Sequence, residues 1–325
     1  MNKKNNSIIL NNPVADFIQR NMGILIGLVV LSVFLSFSTD TFLTSRNLIS
    51  VLRQICVNSL IALGMTFVLI IGGIDLTVGS VVGACGVSVV IFINRGIPVF
   101  MSILLAILIG ALIGLLNGVI IAYTGMPPFI VTLSLQQTIR GVAYIITDGR
   151  SVACKNKTFD VIGNGYTPLI QIPVPILIVL AAIVAASIIL YYMKFGRRMY
   201  AIGGNINAAK FSGIKVKSIT IRVYVISAML AALAGIILAS RMYSGQPTAG
   251  NAYESDAIAA AVLGGTSFMG GIGTVGGTII GAMVIGFLNN GLNLLHVSSY
   301  AQMVIKGIVI ITAVGIDLLK KGKQQ

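Results

Sequence analysis

The chain has 325 residues, of which 56% are hydrophobic and only 9% are charged, with a mean hydropathy of +0.98. A soluble domain carries about 25% charged residues, so this composition excludes a soluble globular protein and predicts an all-α polytopic membrane protein. The net charge of +14 does not indicate nucleic-acid binding, because the basic residues are confined to short loops and tails.

Apolar runs of about 20 residues are long enough to cross a bilayer. We predict ten such spans, at 22–38, 48–71, 77–93, 99–122, 128–147, 174–192, 220–239, 256–268, 275–294 and 300–318. The eight prolines support these limits, because each lies in a loop or at a predicted helix start. The eighth span is short for a crossing. The expected organisation is one transmembrane domain at 22–318, between cytoplasmic tails at 1–21 and 319–325.

The distribution of basic residues sets the expected orientation. Lys and Arg are retained on the cytoplasmic side of a membrane. With both termini cytoplasmic, the inner segments hold twelve basic residues and the outer loops hold six. The segment 193–219 contains six basic residues around a small-residue core, and it contains no acid. It is therefore predicted to be a cytoplasmic loop that docks a cytoplasmic partner.

The first glycine turn, GGIDLTVG at 72–79, joins the second and third spans. Gly72 and Gly73 can end a helix with positive φ. Asp75 or Thr77 can cap the next helix, where a carboxylate also meets the positive helix end. The alternative is that Asp75 belongs to an inner gate or contacts a cytoplasmic partner, and both interpretations stay open.

Uncharged polar residues inside spans are candidates for a solute pathway, and they equally serve as interhelical hydrogen bonds of about 1 kcal/mol each. These candidates are Asn58, Thr66, Asn117, Gln136, Gln137, Asn289, Asn290 and Asn293. Arg140 and Lys306 lie within a few turns of helix ends, so they can extend to the interface. No acid lies at the centre of a predicted span, which argues against ion coupling.

A second glycine-rich turn, LGGTSFMGGIGTVGG at 263–277, cannot form a stable helix because of its paired and alternating glycines. Irregular backbone at membrane depth is tolerated only where it is buried in protein or lines water. The turn residues are Gly264, Gly265, Gly270 and Gly271. We predict that this turn and the 72–79 turn act together as an inner gate; a simple tight turn is the alternative.

Two pairs of segments echo each other. GALIGLLNG at 110–118 resembles GAMVIGFLNNG at 281–291, and TVGSVVGA at 77–84 resembles TVGGTIIGA at 274–282. The first pair lies in spans four and nine, which run in opposite directions. This fits two inverted half-repeats, a common plan in transporters. Chance similarity between Gly/Ala/Leu-rich helices remains the alternative.

No catalytic constellation, metal-ligand cluster or phosphate-binding loop is visible in the sequence. The single histidine, His296, lies in an outer loop. The chain is therefore expected to be a transport subunit without a catalytic residue, a metal or a cofactor of its own. If ATP drives its work, another chain must hydrolyse it.

Four segments resemble the ribose-type sugar ABC permeases, whose broad family also includes branched-chain amino acid permeases. They are GMTFVLIIGGIDLTVGS (64–80), MPPFIVTL with RGVAYIITDG (126–149), AIGGNINAAKFSGIKV (201–216) and AVLGGTSFMGGIGTVGGTIIGAMVIGFLNNGLNLL (261–295). The resemblance implies a pathway formed by two permease subunits, expected to be a homodimer, in a prokaryotic plasma (inner) membrane. It also implies a cytoplasmic ATPase that holds ATP and Mg, and an extracytoplasmic binding protein that delivers ribose or a similar monosaccharide.

The same resemblance implies which residues contact the ATPase. They are Gly203, Gly204, Asn205, Ala208, Ala209, Ser212, Gly213 and Ile214. Ala208 and Ala209 are expected to insert into an ATPase groove, and Gly213 is expected to let the chain turn. Gln136 and Gln137 depart from the family pattern, which leaves the identity of the sugar open.

Two other functions compete with sugar import by an ABC permease. Within the family, the solute can be a nucleoside or a branched-chain amino acid. Outside it, an ion-coupled secondary transporter fits the inverted halves and the glycine-broken helices. The absence of a central carboxylate and the large basic loop argue against the secondary transporter.

Overall fold

The computed structural model describes residues 13–168 and 171–322; the side chains of 13–20, 313 and 316–322 are outside the description. The described chain is mostly helical. Its helices are α1 (Pro13–Ser38), α2 (Ser45–Ile70), α3 (Val78–Asn94), α4 (Val99–Thr124), α5 (Pro128–Thr147), α6 (Lys157–Asn164), α7 (Val174–Ser187), α8 (Lys194–Gly204), α9 (Ile206–Phe211), α10 (Val216–Arg241), α11 (Tyr253–Leu263), α12 (Val275–Leu294) and α13 (Ser299–Gly322). A π-helical turn, Ile188–Tyr192, extends α7, and the strands β1 (Val152–Ala153) and β2 (Ser244–Gly245) pair antiparallel.

Among the described residues, seven helices are long and apolar enough to cross a membrane. They are α1, α2, α4, α5, α7 with its π-helical turn, α10 and α12. Two further apolar segments, α3 and the Ser299–Thr312 part of α13, are shorter than 18 residues. The prediction of an all-α membrane protein is confirmed at this level.

The eighth predicted span differs most from the structure. We predicted it at 256–268, whereas α11 covers Tyr253–Leu263 and has 11 residues. At 1.5 Å per residue this helix is about 16 Å long, roughly half the thickness of the hydrocarbon core. The glycines that follow end it, so α11 alone is too short to cross.

Two long helices, α2 and α10, form the centre of the fold. They pack against each other; α10 also packs on α3 and α4, and α2 packs on α11 and α12. Small residues permit this close approach. A Cβ atom on Gly64 would lie 3.0 Å from the Cα of Ser227, and Gly114 and Gly118 of α4 touch the α10 backbone in the same way.

A non-helical segment at 246–252 connects the β1–β2 ribbon to α11 along the side of α3. Gly245 packs against Val87, and a Cβ atom on Gly250 would overlap the carbonyl oxygen of Gly79. The segment therefore runs antiparallel to α3 with backbone directly against backbone. Because α3 belongs to the apolar core, one side of this irregular segment is covered by protein: Pro247 and Gly250 are buried, while Thr248 is exposed.

The two predicted tails are partly helical. The segment 1–21 was predicted as a tail, but α1 already begins at Pro13; residues 1–12 lie outside the described part. Likewise α13 continues to Gly322, inside the tail predicted at 319–325, whose last three residues are not described. The loop predicted at 193–219 contains α8, α9 and the first turn of α10.

Candidate functional site

The basic loop folds into two short helices, α8 and α9, joined at one asparagine. The Oδ1 atom of Asn205 accepts hydrogen bonds from the backbone N–H groups of Asn207 and Ala208, both at 3.0 Å. Asparagine is favoured at this position because its side chain satisfies N–H groups that the first helical turn leaves free. Gly213 follows α9 with φ +77°, so the prediction that it lets the chain turn is confirmed.

The outward surface of α9 differs from the predicted one. Ala208 is exposed, but Ala209 is only 3% exposed and packs in a core cluster with Ile202. The prediction that Ala209 presents a surface to a partner is therefore wrong. Phe211, which the sequence analysis missed, is 92% exposed beside the exposed Lys210. The sequence feature from which Phe211 could have been identified is an aromatic residue inside a basic, polar loop.

The other predicted coupling residues divide between the surface and the interior. Gly204 and Ser212 are exposed. Ile214 is partly buried, and its N–H donates to the carbonyl of Ala209 at 3.1 Å. Gly203 faces inward against other parts of the chain. Only part of the predicted set can therefore touch a partner.

In the first glycine turn, the two glycines have different roles. Gly72 has φ +75°, as predicted, whereas Gly73 is not among the glycines with positive φ. Position 73 instead requires glycine because there is no room for a side chain. A Cβ atom there would lie 2.7 Å from the Oη of Tyr224 and 3.1 Å from the Cγ1 of Val68.

Asp75 is fully buried and links the first turn to α10. Its Oδ1 accepts hydrogen bonds from the N–H of Thr77 at 3.0 Å and from the Thr77 hydroxyl at 2.5 Å; its Oδ2 accepts from the Ser227 hydroxyl at 2.9 Å. Asn117 of α4 donates to the Thr77 hydroxyl at 2.8 Å. Thr77 is the N-cap residue of α3, but its side chain makes no capping bond. The Thr77 side chain therefore does not cap α3. The Asp75 carboxylate accepts the N–H of Thr77 at the start of that helix, as predicted for a capping residue, and it also joins the turn to the distant helix α10.

The second turn has the irregular backbone that its glycines predicted. Gly265, Gly270 and Gly271 have φ of +83°, +86° and +78°. Gly264 has a negative φ and ends α11, where a Cβ atom would overlap the backbone of Gly277. The turn therefore needs glycine for conformation at three positions and for space at a fourth.

The two turns touch each other. The N–H of Gly271 donates to the carbonyl of Ile70 at 2.9 Å. A Cβ atom on Gly270 would lie 3.0 Å from the backbone nitrogen of Gly72. The two turns are therefore in direct contact, and their joint role as an inner gate stays a prediction.

A cleft of about 380 Å³ opens beside the first turn, between the end of α4, the start of α5, α9 and the start of α10. Its lining includes Gly72, Gly73, Met126, Pro128, Lys210 and Lys217. The cleft therefore joins one glycine turn to the basic loop.

Most of the predicted pathway residues form hydrogen bonds between helices. Four of them are buried in such bonds: Thr66 with Thr278 at 2.6 Å, Asn117 with Thr77 at 2.8 Å, Asn289 with Asp256 at 3.1 Å and Asn290 with Asn47 at 2.9 Å. Asn58 is also buried. Asn293 is exposed and accepts a hydrogen bond from Gln302 at 2.9 Å. The bonded set joins helices rather than facing a solute.

Two charged side chains in the helices are bound inside the protein rather than extended to the interface. The Nζ of Lys306 lies 3.0 Å from the Oδ2 of Asp256, which is 4% exposed. Arg140 donates through one guanidinium nitrogen to the carbonyls of Pro247 and Ala249, at 2.5 and 2.6 Å. The predicted extension of both side chains is wrong. No acid lies at the centre of a predicted span, as expected, because Asp75 belongs to the turn before α3. Its carboxylate nevertheless bonds to Ser227, the twelfth residue of the 26-residue helix α10.

Within the described residues, no group of three or more His, Cys, Asp or Glu side chains is placed to hold a metal ion. All three cysteines are buried as free thiols.

A family model described as the permease component of branched-chain amino acid transport systems matches residues 47–314. The chain belongs to this permease family. Ribose import permease protein RbsC of Bacillus subtilis (strain 168) is 48% identical to it over 307 residues, which cover 94% of this chain and 95% of that protein. RbsC of Haemophilus influenzae is 46% identical over 90% of this chain and 91% of that protein. The D-allose permease AlsC of Escherichia coli (strain K12) is 37% identical over 90% and 89%.

These relatives are named as permeases, so the chain is a transport subunit and not an enzyme. With its apolar helices, it is a multi-pass permease of the prokaryotic inner membrane. No solved structure matches the chain.

The surface of this permease contains one helix that is poorly suited to lipid. Helices α4 and α5 are covered by the rest of the protein to a similar extent, since 22% of the α4 span and 17% of the α5 span are buried. Their mean hydropathies nevertheless differ, at 2.9 for α4 and 1.3 for α5, so α5 is the helix less suited to lipid. Gln137 and Thr138 of α5 are exposed, and Gln136 lies beside the carboxylate of Glu254. Gln137 and Thr138 therefore form a polar outer face on α5, and Gln136 lies next to it, half-buried against Glu254.

Proposed function

We propose that this permease is the membrane-spanning subunit of an ATP-driven ABC importer for a sugar, ribose or a similar monosaccharide. The relatives named for ribose, D-allose and L-arabinose support a sugar as the solute. The structural observation that carries the coupling to ATP is α8–α9, which presents the exposed Phe211 within a basic loop. An exposed aromatic anchor with cations around it is typical of a protein-docking surface.

The remaining components belong to other chains. A cytoplasmic ATPase would hold ATP and Mg and bind α8–α9, and an extracytoplasmic binding protein would deliver the sugar. A second permease subunit, proposed as an identical copy, would complete the pathway. This chain itself would hold no cofactor.

The solute is tested by reconstituting the permease with its ATPase and binding protein in liposomes. We expect ATP-dependent uptake of ribose, with D-allose and L-arabinose as the matched competitors. Uptake of leucine or a nucleoside in place of sugar would favour the alternative solutes. Uptake driven by a proton gradient without the ATPase would contradict the importer mechanism.

The docking surface is tested with Phe211→Glu. Because this side chain is exposed, we expect normal membrane insertion but loss of co-purification with the ATPase. Val161→Glu is the matched control, since Val161 is an exposed apolar residue of α6, a helix that packs on Arg241 at the end of α10 remote from α9. Ala209→Glu does not serve this purpose, because it buries a charge in the permease itself. Normal ATPase binding by Phe211→Glu would contradict the assignment.

We further propose ten crossings with both termini cytoplasmic. Helices α3 and α13 complete the seven longer helices, together with one crossing formed by the non-helical segment 246–252 and the short helix α11 that follows it. The excess of basic residues in 193–219 supports this orientation. Lys155→Cys and Asn207→Cys test it, because both positions are exposed and the native cysteines are buried. An impermeant thiol reagent should label position 155 from outside, and position 207 only in permeabilised cells. The reverse pattern would overturn the orientation.

The contacts between helices support two inverted halves, α2–α5 and α10–α13. The first helix of each half packs on the second and third helices of the other, since α2 contacts α11 and α12 while α10 contacts α3 and α4. Within each half the second helix packs on the fourth, α3 on α5 and α11 on α13. Asn117 and Asn289 occupy equivalent places and bond to the segment before α3 and to α11.

Of the two sequence echoes, only the first agrees with this arrangement. The pair 110–118 and 281–291 aligns α4 with α12, the third helices of the two halves. The pair 77–84 and 274–282 would align α3 with α12, which occupy different positions. We attribute the second echo to the similar composition of glycine-rich helices.

We propose that the polar face of α5 lines the pathway between two copies. Exposed amides in a spanning helix are costly against lipid and favourable against water or sugar hydroxyls. Gln137→Leu tests this, with Leu133→Gln as a control for a general change in polarity on the same helix. We expect Gln137→Leu to lower sugar uptake without lowering ATPase binding; unchanged uptake would exclude Gln137 from the pathway.

The two glycine turns are proposed as the inner gate of this pathway, supported by their contact and by the adjoining cleft. Gly265→Val tests the backbone alone, because φ is +83° and no atom lies within 4 Å of the added Cβ. We expect ATP hydrolysis to persist while uptake falls. Full uptake in this variant would remove the second turn from the gate.

A further inference from the structure

The end of α8 meets both glycine turns at one point. A Cβ atom on Gly203 would overlap the carbonyl oxygen of Ile70 and the backbone nitrogen of Gly271. Those two atoms are themselves hydrogen-bonded to each other at 2.9 Å. We call this three-way contact of Ile70, Gly203 and Gly271 the glycine junction.

The adjacent residue behaves differently. Gly204 has no atom within 4 Å of an added Cβ and is exposed, although it belongs to the same last turn of α8. The two glycines are therefore not equivalent members of a flexible stretch. Only position 203 requires glycine for steric reasons, because backbone atoms of both turns occupy the place that a side chain would take.

A second contact ties α8 to the same turn. The hydroxyl of Tyr200 donates to the carbonyl of Gly273 at 2.6 Å. Burial, with a smaller contribution from Tyr191, raises the pKa of Tyr200 to about 12, so this hydroxyl remains protonated and able to donate. Helix α8 is thus held to the second turn by a hydrogen bond and by direct packing.

Each turn leads to a different part of the transmembrane core. The first continues to Asp75, whose carboxylate bonds to Ser227 of α10, and then enters α3. The second joins α11 to α12. A displacement of α8 at the glycine junction therefore acts on both inverted halves at once. Contact between backbones transmits displacement well, because neither side can yield by changing a rotamer.

We propose that Gly203 is a positioning residue for transport: it transmits movement of the ATPase-bound helices α8 and α9 to both glycine turns. This rests on the proposed docking of an ATPase at α8–α9. It reassigns Gly203 from a surface that touches the ATPase to an internal contact of the permease. Gly203 would then set the number of sugar molecules moved per ATP hydrolysed, and not the affinity for the ATPase.

The test compares Gly203→Ala with Gly204→Ala in the complete transporter in liposomes. Both changes add one methyl group in the same helical turn. For Gly203→Ala we expect ATPase co-purification and ATP hydrolysis near the wild-type level, and a fall of about tenfold in sugar moved per ATP, within the range that residues on a coupling route supply. Gly204→Ala should keep all three quantities within about twofold of wild type.

Two results would overturn the proposal. An unchanged ratio of sugar to ATP in Gly203→Ala would mean that the junction transmits nothing. Loss of ATPase co-purification in Gly203→Ala would make Gly203 part of the docking surface. The second result differs from failure of the proposed docking itself, which would appear as normal ATPase binding by Phe211→Glu.

Tyr200→Phe covers the case in which Gly203→Ala fails to reach the membrane. It removes only the hydroxyl that bonds to Gly273 and adds no volume. We expect normal ATPase binding with a smaller loss, about threefold, in sugar moved per ATP. A wild-type ratio in Tyr200→Phe would then decide against the proposal.

Discussion

Two non-helical segments, 71–77 and 246–252, each lead into a short helix inside the protein, but they are stabilised in opposite ways. In the first, the carboxylate of Asp75 is held by hydroxyl and N–H donors, and the described structure gives it no ion pair. The second segment and the helix that follows it are stabilised by two cationic side chains. Arg140 binds the segment itself, and Lys306 binds Asp256 in the first turn of α11.

One membrane protein thus contains two buried carboxylates, Asp75, which is stabilised by hydrogen bonds from neutral donors, and Asp256, which is also paired with a cation. Both carboxylates lie near the start of a helix, where the positive end of the helix dipole favours an anion. Replacing a neutral donor or acceptor costs one hydrogen bond, whereas removing a cation leaves a buried charge without a partner. The second segment should therefore be the more sensitive to substitution, and the following variants measure the difference.

The largest effect is expected for Lys306→Met. The substitution leaves Asp256 buried without its cation, which should lower the free energy of unfolding by about 3 kcal/mol. Thermal unfolding of the purified permease in detergent measures this loss. The double variant Lys306→Met with Asp256→Asn should recover most of it, because no buried charge remains. Equal destabilisation of the single and double variants would contradict charge pairing as the cause.

An intermediate effect is expected for Arg140→Met, which removes the donors to the carbonyls of Pro247 and Ala249. We expect a loss of about 2 kcal/mol, because two carbonyls inside the protein lose a charged donor. Thr248 lies between them and is exposed, so Thr248→Cys reports on the segment through its rate of thiol labelling. Labelling should become faster in Arg140→Met. An unchanged rate would show that Arg140 does not hold the segment.

The smallest effect is expected for Asp75→Asn, which should cost about 1 kcal/mol or less. The amide oxygen can still accept from Thr77, and the amide nitrogen can donate to the Ser227 hydroxyl, so each bond has a replacement. Asp75→Leu is the control that removes all three hydrogen bonds to the carboxylate. Sugar uptake should stay near wild type in Asp75→Asn; a large fall would mean that the negative charge itself is required.

Several features of the fold could be predicted because they depend on neighbouring residues. The helix starts at Pro98 and Pro128, the end of α2 at Gly72 and the turn at Gly213 all follow from local backbone preferences. The predicted extent of the eighth span was wrong for a related reason. Hydropathy extends past Leu263, but the paired glycines end the helix.

The candidate site could be predicted only in part. Sequence predicted the limits of the basic loop and its turn at Gly213, since both depend on local composition, but it did not predict that Asn205 caps α9. It misjudged Ala209 and missed Phe211, because a six-residue helix gives too little periodicity to assign an inner face. It also assigned Gly203 and Gly204 the same role, although a Cβ atom on Gly203 would overlap backbone of two distant turns and a Cβ atom on Gly204 would meet no atom within 4 Å.

The amino-acid sequence was enough to predict where the chain is apolar enough for the membrane, where it turns and which loop carries positive charge. These properties depend on composition and on backbone preference over a few residues. Which polar groups meet could be read only from the folded chain. Asp75 and Ser227 are 152 positions apart, and Arg140 and Ala249 are 109 apart. A buried polar group needs a partner of matching geometry, and in a helical membrane protein that partner comes from another helix, chosen by packing rather than by sequence distance.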